Sequence, residues 1–175
     1  MEALLNEIAI QPTIPWPVLV FRLVGALVLC GLIGLERESR DRPAGLRTHM
    51  MVGLAAAVYC IVLLEMIAAF GEGDGQLRLD PVRLIEAVTG GVAFLAAGMI
   101  VFSKGEVRGL TTGTSLWLAA AVGLAVGLGL WPVAVLSTFL ALVVVGLLKR
   151  VESAARRDDV AGQVSSRHVE KDPPE

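Results

Sequence analysis

Five long apolar segments constrain the fold of this chain more than any other feature of its sequence. They run over residues 16–35, 50–70, 84–102, 112–130 and 132–148. A helix rises about 1.5 Å per residue, so roughly 20 apolar residues cross the hydrocarbon core of a bilayer. With 55% hydrophobic and 18% charged residues, the chain has too little polar surface for a water-soluble domain. The sequence therefore predicts an all-α membrane protein, a bundle of five transmembrane helices.

The boundary between the fourth and fifth segments is a tight corner at Trp131-Pro132. Proline fits the first turn of a helix, because its missing N–H would have no partner there. The alternative is one very long helix, which the Gly-Leu-Trp-Pro break disfavours.

The Lys and Arg residues are unevenly distributed between the two sides of the predicted bundle. Of the 15, twelve lie in the loops after the first and third segments or in the C-terminal tail, and two lie between the second and third segments. Because positive residues accumulate on the cytoplasmic side, we expect the N-terminus outside and the C-terminus in the cytoplasm. The predicted organisation is an extracytoplasmic segment 1–15, a transmembrane domain 16–148 and a disordered cytoplasmic tail 149–175.

Composition also argues against several classes of function. The net charge is −2, and no basic patch with interleaved aromatic residues is present, so we expect no nucleic-acid partner. Cys30 and Cys60 lie in apolar segments and are expected to be free thiols. The sequence displays no nucleophile–base pair and no metal triad, so we expect no enzyme and no cofactor, and leave metal binding open.

Three charged residues, Arg22, Glu65 and Glu86, lie inside apolar segments, and the predicted topology places all three in the outer third of the bilayer. A lone charge there costs at least about 2.5–3.5 kcal/mol, so we expect Arg22 to pair with Glu65 or Glu86. The cluster could line a polar pocket or coordinate a cation, or it could be a structural ion pair that fixes packing. With Asp80 and Arg83 these residues form a candidate polar layer on the outer side.

Small residues recur at close to helical spacing in three segments and predict close helix–helix contacts. They are Ala26, Cys30 and Gly34 in the first segment, Ala87, Gly91, Ala93 and Ala97 in the third, and Ala119, Gly123 and Gly127 in the fourth.

A second candidate polar layer is expected on the cytoplasmic side, where ERESRDRPAGLRTH (36–49) meets SKGEVRGLTTGTSLW (103–117). Its candidate residues are Glu36, Arg37, Gly45, Arg47, Thr48, His49, Arg108, Thr111 and Thr112. Thr111 or Thr112 is well placed to cap the fourth helix, whose free N–H groups would face loop carboxylates or an anion. His49 could act as a pH sensor. The alternative is a topological anchor with a solvated loop, in which His49 only makes a local hydrogen bond.

Several strings of this sequence together resemble the MgtC/SapB family of membrane proteins. They are Arg22-Leu23, IGLERE (33–38), AGLRTH (44–49), DPVR (80–83), GVAFLAAG (91–98) and VRGLTTGTSLW (107–117). Their order and spacing agree over roughly residues 20–148. The chain departs from the family pattern at Ala93-Phe94-Leu95-Ala96-Ala97-Gly98, where GFLGAG is usual, and at Ala87, where glutamine is usual. The best-known members carry a soluble domain after the fifth helix, where this chain has a short tail.

The resemblance implies a five-helix domain in the bacterial inner membrane, in agreement with the topology above. It implies a non-enzymatic protein linked to growth under magnesium limitation and to survival inside host cells. It also implies a membrane partner such as the F-type ATP synthase, and self-association is a further expectation. The family motifs carry over to Arg22, Glu36, Arg37, Gly45, Arg47, Thr48, His49, Asp80, Arg83, Thr111 and Thr112. The alternative function is a magnesium or proton transporter or channel that uses the Arg22/Glu65/Glu86 layer.

Overall fold

A computed structural model of the chain describes residues 12–38, 44–70, 80–103 and 106–147. Its helices are α1 (Trp16–Glu38), α2 (Leu46–Phe70), α3 (Pro81–Met99), α4 (Leu110–Gly127) and α5 (Trp131–Leu147). Among the described residues, α1 to α4 are long and apolar enough to cross a membrane, and α5 is a shorter apolar helix. The prediction of an all-α membrane protein is confirmed. Most of the predicted N-terminal segment and the whole predicted tail lie outside the described residues.

Three of the helices extend beyond their apolar segments because polar residues continue the helical backbone. Helix α1 runs on to Glu38, and α2 already begins at Leu46, so most of the AGLRTH string is helical. Helix α3 begins at Pro81, and the Asp80 side chain caps it by accepting a hydrogen bond from the Val82 N–H at 2.9 Å. The predicted third segment starts three residues later.

A short hairpin follows α3, although the sequence predicts helix through Phe102. Strand β1 (Val101–Ser103) pairs antiparallel with β2 (Glu106–Arg108), with Phe102 opposite Val107. The apolar run from α3 into β1 has no polar break, so periodicity alone does not separate the helix from the strand.

The predicted threonine cap of α4 is wrong. Gly109 occupies the cap position with φ +91°, no side chain caps the helix, and α4 begins at Leu110. A Cβ atom at Gly109 would collide with the Met99 carbonyl oxygen, so the chain needs glycine to turn from the hairpin into the helix. Thr111 and Thr112 consequently lie inside the first turn of α4.

Helix α4 ends in a Schellman motif. Gly129, with φ +78°, donates its N–H to the Val126 carbonyl, and Leu130 donates to the Ala125 carbonyl. The chain therefore turns at residues 128–130, just before the corner that the sequence predicts.

The core lies where α4 packs between α1, α2 and α3. Gly123 of α4 approaches Gly53 of α2 so closely that a Cβ atom at Gly123 would meet the Gly53 Cα at 2.8 Å. One turn further along, a Cβ at Gly127 would meet the Cys60 Cβ at 2.8 Å. On the α1 side, the buried Cys30 thiol donates to the Ala119 carbonyl at 3.3 Å. The predicted small-residue contacts of the first and fourth segments are thus confirmed.

Helix α3 packs through one side only. Val92 is buried beside the partly buried Leu84, Val88 and Met99, whereas Ala87, Gly91, Ala93 and Ala97 are exposed. A Cβ atom at Gly91 would meet nothing within 4 Å. The prediction that the small residues of the third segment form a contact within the chain is therefore wrong for the part of the chain described.

The chain divides into two units, Met1–Thr138 and Phe139–Glu175. The first unit contains α1 to α4, the hairpin and the start of α5. In the second unit the structure describes residues 139–147 of α5, in which Phe139, Leu140 and Leu147 are more than half exposed. Exposed large apolar side chains in both units match a lipid surrounding.

Candidate functional site

Charged and polar residues of the first unit lie at opposite ends of its helices. The His49 end consists of the end of α1, the start of α2, the end of α3 and the start of α4. The Arg22 end consists of the start of α1, the end of α2, the start of α3 and the end of α4. These two ends correspond to the predicted cytoplasmic and outer layers.

At the His49 end, the α1–α2 corner is closed by a carboxylate. Glu38 accepts a hydrogen bond from the Leu46 N–H at 2.8 Å, so the last residue of α1 caps the start of α2. A Cβ atom at Gly45 would collide with this carboxylate, and one at Gly34 would meet the His49 Cβ at 2.8 Å. The glycines of IGLERE and AGLRTH are therefore the positions where α1 and α2 come closest at this corner.

His49 connects this corner to α4. Its side chain is 0% exposed, with Nδ1 at 2.8 Å from the Gly45 carbonyl oxygen and Nε2 at 2.9 Å from the Ser115 Oγ. The Ser115 hydroxyl lies 2.8 Å from the carbonyl oxygen of Thr112, which is also buried. The strings AGLRTH and GLTTGTS thus meet in one buried hydrogen-bonded network, which we call the His49 network: Gly45, His49, Thr112 and Ser115. IGLERE packs against this network through Gly34.

The other predicted residues of this end are arranged differently. Glu36 and Arg37 are neighbours, with Glu36 Oε2 at 3.7 Å from Arg37 Nε, and Arg37 is 8% exposed. Arg47, Thr48 and Thr111 are exposed. For Arg108 the structure describes the backbone in β2 and not the side chain. Of the predicted cytoplasmic layer, the structure therefore brings Gly45, His49 and Thr112 together.

Two residues of this end were not among the predicted site residues. Glu38 is the second glutamate of IGLERE, and Ser115 lies three residues after Thr112 in GLTTGTSLW. The spacing of Ser115 from Thr112 places both on one face of α4, a signal that could have identified Ser115. Nothing in the sequence indicates that Glu38 would reach across the corner.

At the Arg22 end, Arg22 binds main chain. Its Nη1 donates to the Gly127 carbonyl oxygen at 2.8 Å. The three preceding carbonyls already have backbone donors. Leu124 accepts from the Leu128 N–H, Ala125 from Leu130, and Val126 from Gly129. The Schellman motif provides no donor for the Gly127 carbonyl, and Arg22 supplies one. The C-terminal end of a helix also favours a positive charge.

Glu65 also binds main chain. Its two carboxylate oxygens accept from the N–H groups of Thr13 and Ile14, at 2.8 and 2.9 Å, and so hold the segment that enters α1. Within the part of the chain described, no ion pair joins Arg22 to Glu65 or to Glu86. The predicted pairing is wrong, because backbone groups at helix ends are available to each charge.

The remaining predicted residues of the outer layer lie on or beside α3. Asp80 caps the helix, and Arg83 and Glu86 are exposed on it. The structure therefore distributes the predicted outer layer over three separate places: Gly127 at the end of α4, the segment before α1, and the surface of α3.

Among the described residues, neither end presents a metal site or an exposed thiol. Among the described residues, no group of three or more His, Cys, Asp or Glu side chains is placed to hold a metal ion. Cys30 and Cys60 are both buried free thiols, in agreement with the sequence.

Because Arg22 and Glu65 have different partners, their contributions to stability should be independent. We expect Arg22→Leu to lower the free energy of unfolding by about 1–3 kcal/mol, since it leaves the Gly127 carbonyl unsatisfied, and Glu65→Leu to lower it by less, because the bond from Thr13 is exposed to solvent. In the double variant the losses should add to within about 0.5 kcal/mol. Unfolding in detergent micelles measures all three variants. A coupling above about 1 kcal/mol would show that the two charges interact.

Comparison with known proteins gives a consistent set of relatives. The MgtC family model matches residues 23–154. The chain is 35% identical over 129 residues to the Escherichia coli K12 protein "Putative magnesium transporter YhiD", covering 71% of this chain and 58% of YhiD. It is 33% identical over 150 residues to SrpB of Synechococcus elongatus, covering 80% of each. It is 40% identical over 128 residues to MgtC of Brucella abortus, covering 73% of this chain and 50% of that protein.

The match to the family model includes the three strings that meet around His49. The chain spans little more than half the length of YhiD and half of the Brucella MgtC. No solved structure matches it. Since the family model covers most of the chain, from the first helix through the last, the chain belongs to the MgtC family.

Proposed function

We propose that this protein is a non-enzymatic regulator in the bacterial inner membrane, which acts through contacts between transmembrane helices during growth at low magnesium. Its proposed partner is the F-type ATP synthase, as the family resemblance implies. The proposal includes the orientation expected from the Lys and Arg distribution, with the His49 end in the cytoplasm.

The observation that carries this proposal is that Arg22, Glu65 and His49 are bound to groups of the protein itself. Arg22 binds the Gly127 carbonyl, Glu65 binds two backbone N–H groups, and His49 binds Gly45 and Ser115. Transport needs polar groups that bind the ion and release it again, whereas these groups serve to fix helix ends and helix contacts.

The packing of α1, α2 and α4 supports the same proposal. Gly53 and Gly123 bring two helix backbones together, and Cys30 fills the space against Gly53 from the α1 side. These close contacts leave no room for a continuous hydrated path between α1, α2 and α4. A regulator needs only a stable core and an outer surface that another helix can recognise.

A magnesium or proton transporter is the second candidate function, because one relative is named "Putative magnesium transporter YhiD". In that function Glu65 and Glu86 would have to contact the ion. Glu86 is exposed on α3, while Glu65 holds the entry to α1, so the two carboxylates serve different elements.

Two measurements separate these functions. Deletion of the gene should impair growth at low magnesium, and the purified protein in liposomes should give no magnesium or proton flux. A reproducible flux that Glu65→Gln abolishes would establish the transporter instead. Crosslinking in native membranes tests the partner: ATP synthase subunits should be captured from wild-type cells, and their absence from the captured material would reject this partner.

A further inference from the structure

An apolar groove lies between α2 and α3 of the first unit. Helix α3 packs mainly against α4, so the space between α3 and α2 stays open and has a volume of about 470 Å³. We call it the α2–α3 groove, and it is lined by residues of both helices, among them Ala56, Tyr59, Leu84, Val88, Gly91 and Leu95. Because both helices are apolar spans, this groove faces the interior of the bilayer.

The width of the α2–α3 groove decides what can enter it. From Leu84 to Leu95 it extends about 16 Å along α3, at about 1.5 Å per residue. Its volume over this length corresponds to a width of about 6 Å, roughly half the 10–12 Å diameter of a helix with its side chains. A hydrocarbon chain fits this width, because apolar carbon atoms pack about 3.5–4 Å apart. The groove therefore suits a lipid tail and is too narrow for another helix.

Two opposite charges lie where the groove reaches the start of α3, at the Arg22 end. Asp80 precedes Leu84 by four residues, and Arg83 precedes Ala87, another lining residue, by the same interval. Residues four apart are neighbours on one side of a helix, so both charges continue the rows that line the groove. Glu86 does not, because at about 100° per residue it lies about 160° around α3 from Leu84.

Both charges are exposed and have polar atoms to spare. One carboxylate oxygen of Asp80 accepts from the Val82 N–H at 2.9 Å. Within the part of the chain described, neither the other oxygen nor the Arg83 guanidinium makes a hydrogen bond or an ion pair. The Arg83 N–H donates to the Asp80 carbonyl at 3.1 Å, so the two residues share one turn. They present a negative and a positive group side by side at the mouth of the groove.

We propose that the α2–α3 groove binds a phospholipid whose headgroup carries both a phosphate and an amine. One acyl chain fills the groove, the phosphate binds Arg83, and the ammonium group binds Asp80. Guanidinium–phosphate and carboxylate–ammonium contacts are both charge-assisted hydrogen bonds, which are the strong ones. A phospholipid joins an apolar chain to such a headgroup at the depth where α3 begins.

The charges also select the kind of phospholipid. An anionic headgroup without an amine would bring its phosphate to Arg83 but leave Asp80 beside a like charge. Phosphatidylethanolamine should therefore be preferred over phosphatidylglycerol. This site does not depend on the proposed regulatory function, and the two are tested separately.

Lipid retention tests the groove. The protein is incorporated into vesicles of equal amounts of phosphatidylethanolamine and phosphatidylglycerol, extracted with mild detergent and weighed by native mass spectrometry. We expect one phospholipid to stay bound to the unaltered chain. Gly91→Phe should lower the bound fraction at least about tenfold, because the ring displaces several methylene groups from the groove. Gly90→Phe is the matched control and should retain the lipid: a Cβ atom at either glycine meets nothing within 4 Å, but only Gly91 lines the groove.

Two charge variants test the headgroup in the same vesicles. Arg83→Gln should lower the bound fraction about tenfold, since a charge-assisted contact to the phosphate is lost. Glu86→Gln, on the opposite side of α3, should leave it unchanged. Asp80→Asn should shift the preference towards phosphatidylglycerol, because it removes the negative charge while asparagine still caps the helix.

Four results would overturn the proposal. Equal lipid retention by Gly91→Phe and Gly90→Phe would place the bound lipid elsewhere. Equal retention by Arg83→Gln and Glu86→Gln would reject the phosphate contact, and this comparison decides alone if Gly91→Phe does not accumulate. An unaltered chain that binds both lipids equally would reject the amine contact. A retained mass that matches a polypeptide and is lost in Gly91→Phe would make the occupant a protein segment.

Discussion

Replacing Gly123 by alanine should destabilise this protein by about 3 kcal/mol, and replacing it by leucine should prevent its accumulation. A Cβ atom at this position would meet the Gly53 Cα at 2.8 Å and the Gly53 carbonyl carbon at 2.9 Å, and would overlap the carbonyl oxygen. All of these are backbone atoms of α2, so no side chain can rotate away. The two helices would have to separate.

That separation is costly because it does not stay local. One turn further along α4, Gly127 already lies against Cys60 and Ala57 of α2, and the Cys30 side chain of α1 occupies the space next to Gly53. Moving α2 away from α4 therefore opens gaps that neither water nor lipid fills well. Inside a membrane, close packing is the main force that holds helices together, so its loss is not compensated.

The matched control for Gly123 is Gly146→Ala. Gly146 is also a helical glycine, but its Cβ atom would meet nothing within 4 Å. Alanine there should leave stability unchanged or raise it by up to about 1 kcal/mol, through its better helix propensity. Unfolding midpoints in detergent measure both variants. Equal midpoints for Gly123→Ala and the unaltered protein would contradict the packing described.

Much of the fold follows from the sequence, because a bilayer leaves few choices to an apolar segment. Residues 16–35 must be helical in a bilayer, and the spacing of Gly123 and Gly127 by itself indicates a contact surface. The hairpin at 101–108 did not follow, because an apolar run such as Val101-Phe102 suits a strand as well as the end of a helix.

The partners of the intramembrane charges did not follow either. Arg22 binds the Gly127 carbonyl because the Schellman motif at Gly129 uses the neighbouring carbonyls and leaves this one free. That bond depends on a backbone conformation at the far end of another helix, which no spacing of charged residues encodes. Opposite charges at similar depth therefore suggested an ion pair, while the structure satisfies each charge with backbone groups.

The geometry of the His49 network assigns the protons of the imidazole ring. A carbonyl oxygen only accepts, so Nδ1 must carry a proton to bind the Gly45 carbonyl oxygen at 2.8 Å. A neutral His49 then has an acceptor at Nε2, and the Ser115 hydroxyl can turn its single proton either to Nε2 or to the Thr112 carbonyl. In this state His49 is a neutral, structural residue that joins α2 to α4.

His49→Ala should lower the free energy of unfolding by about 3 kcal/mol, because it removes two hydrogen bonds and opens a cavity at a fully buried position. Ser115→Ala should cost about 1 kcal/mol, since the hydroxyl is buried but small. The double variant should cost about 1 kcal/mol less than the sum of the two, because the bond between the side chains can be lost only once.

The neighbouring residue supplies the control for His49. Thr48 precedes His49 in the same helical turn but is exposed, so Thr48→Ala should change stability by less than about 0.5 kcal/mol. All variants are compared by unfolding in detergent micelles. If His49→Ala unfolds as late as Thr48→Ala, the buried network does not hold α2 to α4. If the losses at His49 and Ser115 simply add, the two side chains contribute to stability independently, and the bond between them carries no weight.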